Sequence, residues 1–116
     1  MDFQTSIKTC FQKYADFTGR AQRSELWWFV LFAVVVNILL ELVGLEALAG
    51  LFALAVLIPS IAVGVRRLHD IDRTGWWYLL ILLPVIGWLV LIYFYIQPGT
   101  TGENRFGPDP MAGATG

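Results

Sequence analysis

An all-α bundle embedded in a membrane is the fold this sequence predicts, and three observations predict it. The 116 residues are 57% hydrophobic, above the roughly 45–50% of an average soluble domain. Three apolar runs, 26–43, 47–65 and 76–96, carry almost no charge. Each is about long enough to cross a hydrocarbon core of roughly 30 Å at about 1.5 Å per residue. The basic residues are also segregated. Lys8, Lys13, Arg20 and Arg23 precede the first run, Arg66, Arg67 and Arg73 lie between the second and third, and Arg105 alone follows the third. Three crossings would leave seven of the eight on one face, which the positive-inside rule makes cytoplasmic.

Composition narrows the class further. Mean hydropathy is +0.64, and one domain fills a chain of this length. The net charge of −1 says little because the charges are grouped by segment, and no nucleic-acid partner is expected. The single cysteine, Cys10, excludes an internal disulfide and a multi-cysteine zinc site. The first 25 residues are too polar for a secretory signal, so the first span is expected to persist as an anchor.

Residues 3–17 carry Phe3, Ile7, Cys10, Phe11 and Tyr14 on one helical stripe, with Gln4, Lys8, Gln12 and Lys13 off it. That pattern predicts an N-terminal interfacial amphipathic helix lying on lipid; packing onto the protein's own helices is the alternative. Thr18-Gly19 breaks the stripe, and Thr18 is a candidate cap for a helix whose first turn shows Arg20 and Arg23 on one face. In the first span, Asn37 and Glu41 are four apart and share a face. Gly44-Leu45-Glu46 makes a short link, so the first two spans should form a tight antiparallel hairpin. Small residues (Ala47, Ala49, Gly50, Ala53 and Ala55) allow close helix approach in the second span. Pro59 should kink it.

Trp27, Trp28, Trp76 and Trp77 are the expected interface anchors, at the same boundary as the basic clusters. The third run, 76–96, is read as a third transmembrane helix. Pro84 and Gly87 interrupt it, and a re-entrant hairpin breaking there is the rival. Residues 98–110 are rich in Gly, Pro, Asn and Asp and predict an ordered, turn-rich tail, with 111–116 disordered.

The densest polar segment is Arg66-Arg67-Leu68-His69-Asp70-Ile71-Asp72-Arg73. One reading is a site for anionic headgroups, made by Arg20, Arg23, Arg66, Arg67, His69, Asp70 and Arg73, with arginines forked onto phosphate. The other is an internal ion-pair network that closes the end of the bundle. No metal and no cofactor are expected, since adjacent helical positions point His69, Asp70 and Asp72 apart. No catalytic residue stands out either. Cys10 lies on the apolar stripe, and Ser24 and Ser60 lack a nucleophile context.

Five ordered motifs carry a family resemblance. They are Gly19-Arg20-Ala21-x-Arg23-Ser24-Glu25-x-Trp27-Trp28, Pro59-x-x-Ala62-Val63-x-Val65-Arg66-Arg67-Leu68-His69-Asp70, Arg73-x-Gly75-Trp76-Trp77, Pro84-x-Ile86-Gly87, and Pro98-Gly99-Thr100-x-Gly102-x-Asn104-Arg105-Phe106-Gly107-Pro108-Asp109-Pro110. The chain resembles, from about Tyr14 to Pro110, the small bacterial inner-membrane family called domain of unknown function 805. The resemblance implies a multi-pass plasma-membrane protein and transfers no activity. It also poses a test: if the tail packs beside Arg66 and Arg67, the third run must re-enter, and the basic count becomes eight to none.

The expected function is a non-enzymatic lipid- or protein-binding assembly module with a cytoplasmic Arg/His/Trp layer. Its expected partners are membrane lipids, anionic ones among them, and a second copy or partner membrane helices. The alternative is a small transporter, channel subunit or membrane enzyme using His69, Asp70 and Glu41.

Overall fold

In a computed structural model that describes residues 2–111, the chain is all helix and turn. Four α-helices, α1 (Phe3–Gln12), α2 (Arg23–Leu42), α3 (Glu46–Asp70) and α4 (Ile86–Ile96), are joined by a 3₁₀ segment, Gly75–Leu82, between α3 and α4. Residues 112–116, most of the stretch expected to be disordered, lie outside the described residues.

Asp2 caps α1 by accepting from the Thr5 amide at 2.7 Å. The helix ends at Gln12 rather than near residue 17. Past it the chain makes a tighter turn, with the Asp16 amide on the Lys13 carbonyl at 3.1 Å, and the carbonyls of Lys13 and Asp16 accept from the Arg66 guanidinium at 3.2 and 2.8 Å. Thr18 caps nothing; its amide and hydroxyl bond the Asp16 carboxylate. Gly19 then adopts a positive φ of 81°, and residues 20–22 run extended into α2, with the Ala21 amide on the Arg66 carbonyl at 3.0 Å. Arg20 and Arg23 therefore do not share a helical face. Arg20 is buried ahead of α2, while Arg23 is exposed in its first turn.

The expected interfacial helix packs on the protein itself. Phe11 meets Phe29 edge-on at 5.6 Å, Phe3 meets Trp28 at 5.6 Å, and Tyr14 donates to the Ala55 carbonyl at 2.6 Å. Cys10 joins Ala21, Leu26, Phe29, Val56 and Val63 in the main core. Burial pushes its thiol up to about 12, so it stays protonated at neutral pH and is a poor nucleophile.

The α2–α3 link closes as a Schellman motif. Gly44 takes φ +80°, its amide bonds the Glu41 carbonyl at 3.1 Å, and the Leu45 amide bonds the Leu40 carbonyl at 2.9 Å. α3 continues past the expected boundary at residue 65, so Arg66 to Asp70 are its last turns. It ends on the same motif with an aspartate in the glycine position: Asp72 has φ +61°, and the Arg73 amide bonds the Leu68 carbonyl at 2.9 Å. A short polar side chain tolerates that conformation better than most.

The expected single helix over 76–96 is corrected. Its first arm is the 3₁₀ segment, its second is α4, and the chain reverses at Leu83–Val85. At about 2.0 Å per residue in the first arm and 1.5 Å in the second, each reaches roughly 16 Å, half the hydrocarbon depth. The arms lie side by side: Trp77 meets Phe94 edge-on at 5.6 Å. A Cβ on Gly87 would overlap the Leu80 carbonyl, so glycine permits that approach. A Cβ on Gly64 would sit 2.6 Å from the Tyr78 ring and 2.9 Å from the Tyr95 hydroxyl, so a glycine on α3 is also what lets the hairpin dock. The break at Pro84 has a local cause, since proline has no amide to continue the helical ladder.

Among the described residues, two helices, α2 and α3, are long and apolar enough to cross a membrane. Their outer faces are greasy: Leu42 is 76% exposed, Leu51 64% and Leu54 66%. A soluble protein turns such side chains inward, and a lipid-facing one leaves them out.

Candidate functional site: a buried arginine knot

The polar motifs converge at one end of the bundle, and their charges are buried. Arg66, Arg67 and Asp70 are at most 2% exposed, and Glu25 is 2% exposed. Burying ions costs several kcal/mol each unless their partners are well placed. Here the partners are dense. Arg66 Nη2 donates to Glu25 Oε2 at 2.7 Å, while its Nη1 holds the two carbonyls that end α1. Arg20 Nε donates to Asp70 Oδ1 at 2.9 Å, and Arg67 Nη1 donates to the other oxygen, Asp70 Oδ2. One carboxylate thus joins two arginines from different elements.

The tail completes the knot through its backbone. Arg67 Nη2 donates to the Gln97 carbonyl, and Arg20 Nη2 to the Thr100 carbonyl. Arg20 Nη1 reaches the carbonyls of Gly102 and Gly107. The Asn104 amide donates to the His69 carbonyl at 2.9 Å, and Gln22 Nε2 to the Pro110 carbonyl at 2.8 Å. The Thr100 amide returns a bond to the Asp70 carbonyl at 2.7 Å. Carbonyls are the natural filler here. Three arginines face Glu25 and Asp70, and Asp109 stands off at 4.0 Å from Arg20, so peptide dipoles must answer the remaining N–H groups. Arg66 Nε has no partner among the described residues.

His69 belongs to the same layer. Its Nδ1 lies 2.8 Å from the Gly19 carbonyl; a carbonyl only accepts, so Nδ1 carries the proton. The ring stacks on Phe106 at 4.0 Å, 1° from parallel.

The remaining candidates border the knot. Arg23 Nη1 donates to the Ile96 carbonyl at 3.2 Å, at the end of α4. The Arg73 guanidinium lies over the rings of Phe94 at 4.3 Å and Trp77 at 5.0 Å and has no ion pair among the described residues. Trp27 Nε1 donates to the Tyr95 carbonyl at 3.3 Å, and Trp76 is 78% exposed. Trp27, Trp77, Arg23 and Arg73 thus meet at residues 94–96. Arg105 pairs with Asp72 at 3.1 Å, but both side chains are solvated, so that bridge adds little.

Two groupings expected from the sequence do not form. Arg66 and Arg67 have no exposed surface with which to fork onto a ligand. Glu41 is exposed at the far end of α2, roughly 24 Å along the helix from Glu25, so it shares no cavity with His69 and Asp70. Sequence reasoning also passed over Glu25 as a site residue. Its signal was present: a lone carboxylate two residues after Arg23, at the mouth of an apolar run.

The comparisons agree with the motif reading. The family model described as "Protein of unknown function (DUF805)" matches residues 14–108. "Inner membrane protein YhaH" of Escherichia coli (strain K12) is 46% identical over 109 residues, which cover 85% of this chain and 90% of that protein. "Inner membrane protein YhaI" of the same strain is 44% identical over 109 residues, 89% of this chain and 92% of its own length. "Uncharacterized protein YiiR", also from that strain, is 32% identical over 124 residues, covering 81% and 85%. No solved structure matches.

Proposed function

We propose, for a chain that belongs to the DUF805 family of membrane proteins of unknown function, a non-catalytic module of the bacterial inner membrane that holds anionic lipid headgroups at its basic rim. α2 and α3 cross the bilayer. The hairpin of residues 75–96 enters and leaves on the side of the N-terminus, and α1 lies across that interface against α2. All eight Lys and Arg side chains then fall on one face, which is cytoplasmic. The names of YhaH and YhaI place those relatives in the inner membrane and support the location.

One observation carries the headgroup reading. The Arg73 guanidinium lies over the rings of Phe94 and Trp77 and forms no ion pair among the described residues, whereas Arg66 and Arg67 are buried on carboxylates. A guanidinium stacked on indole at a membrane rim keeps its N–H fork free for phosphate. Arg23 stands over the same end of α4 and, among the described residues, gives one bond, to the Ile96 carbonyl. The knot of Arg20, Arg66, Arg67, His69 and Asp70 positions this rim rather than touching lipid.

Purified protein should retain phosphatidylglycerol in preference to phosphatidylcholine. Replacing Arg23 and Arg73 together by Gln should lower that retention roughly thirtyfold, at about 1 kcal/mol per cation near the surface. Equal retention by the double variant, measured by lipid analysis of the purified complex, overturns the reading. Topology has its own test. With Cys10→Ala as background, Met111→Cys should resist an impermeant maleimide on intact cells and react in inverted vesicles. Labelling from outside would restore a third crossing.

A further inference from the structure

We propose that the groove between α2 and α3 seats a second copy of this chain, joined by hydrogen bonds at Asn37 and Ser60. The groove has a volume of about 340 Å³ and is lined by Ala33, Val34, Phe52 and Ala53 together with those two polar residues. It lies on the flank of the bundle, away from the rim proposed to hold headgroups.

Two facts select the occupant. First, the groove has unmet polar capacity inside the apolar depth. Asn37 spends one N–H on the Ala49 carbonyl at 3.2 Å. Its Oδ1, and the Ser60 hydroxyl, have no partner among the described residues. Asn37 lies roughly 18 Å along α2 from Glu25, well within a hydrocarbon core of about 30 Å, where no water answers them. A lipid tail offers nothing to bond. Second, the chemistry is self-complementary. An amide carries both a donor and an acceptor. Copies inserted in the same orientation are related by a two-fold axis along the membrane normal, which sets equal depths opposite each other. Asn37 then meets Asn37 of the second copy without a dedicated partner sequence. The backbone also permits approach: a Cβ on Gly50 of α3 would meet nothing within 4 Å, and small residues are what bring membrane helices close. Glu41, one turn beyond Asn37, is exposed in the last turn of α2, so two of them remain in water, where their repulsion is screened.

The test uses the full chain in native membranes and in detergent. With Cys10→Ala as background, Ala53→Cys should form a disulfide-linked dimer on mild oxidation, and Leu51→Cys, on the opposite face of α3, should not. In detergent, Asn37→Leu should weaken the dimer association constant roughly five- to ten-fold, given the modest strength of interhelical hydrogen bonds in lipid. Ser60→Ala should weaken it less, and because it leaves the Asn37–Ala49 bond intact it separates loss of dimer from loss of fold. A monomer at all concentrations overturns the proposal. So does equal cross-linking at positions 51 and 53, or cross-linking of Ala53→Cys to a different protein instead of itself. The lipid-retention result is independent of these outcomes, so either proposal can fail alone.

Discussion

Asp70→Asn should destabilise the fold by about 3–5 kcal/mol, the usual cost of leaving a buried charge without its partner. The carboxylate accepts from Arg20 on one oxygen and Arg67 on the other. An amide has one acceptor oxygen, and its NH₂ would face a guanidinium donor. Two buried cations would then lose their counter-charge together. Against a typical total stability of 5–15 kcal/mol or so, the effect is large. Thermal unfolding in detergent, followed by tryptophan fluorescence, should show a strongly lowered midpoint. Glu25→Gln should cost less, because Arg66 keeps the carbonyls of Lys13 and Asp16. A parental midpoint for Asp70→Asn would mean that the knot does not hold the structure together.

Gly99→Ala should release the tail. A Cβ at that position would fall inside the Asp70 carboxylate. A loose side chain could swing aside, but this one is pinned between Arg20 and Arg67. Relief must come from the tail, at a cost of about 1–3 kcal/mol for overpacking. The loss should include the bond from the Thr100 amide to the Asp70 carbonyl and the Arg20 bonds to Thr100, Gly102 and Gly107. Limited proteolysis should cut the variant within 98–111 while the α2–α3 core survives. Gly102→Ala is the matched control. No atom lies within 4 Å of its Cβ, and only its positive φ opposes the change, a cost of about 1 kcal/mol. Equal protease resistance in Gly99→Ala and the parent would refute the close packing of tail on knot.

Much of the architecture was legible because it is local. The α2–α3 hairpin follows from apolar length and Gly44, and the shared rim of tryptophans and arginines follows from their positions beside the runs. Periodicity also found the apolar stripe of α1, although Cys10 is buried in the protein core and Ile7 packs against it. What failed was tertiary. The turn after α1 is bonded by a guanidinium more than fifty residues away in sequence. Arg20 and Arg23 are three apart, yet one is buried and the other exposed, because Gly19 turns the chain before α2 begins. For 76–96, length favoured one continuous helix and Pro84 favoured a break; the structure has the break, with Tyr78 and Tyr95 packed at Gly64.

Taken alone, then, the sequence determined that this is an all-α membrane protein of the DUF805 family, and it set most of its cations and four of its five tryptophans beside the ends of the apolar runs. Hydrophobicity summed over a run and charge counted between runs do not depend on how the runs meet. The tertiary structure alone decided that arginines only a few residues apart, Arg20 and Arg23 or Arg67 and Arg73, have different roles. Arg20, Arg66 and Arg67 are consumed within the protein, and Arg23 and Arg73 are left at its surface. The reason is electrostatic. A buried guanidinium must find a carboxylate and several carbonyls, and those groups come from the turn after α1, from α2, from α3 and from the tail, which only folding brings to one place.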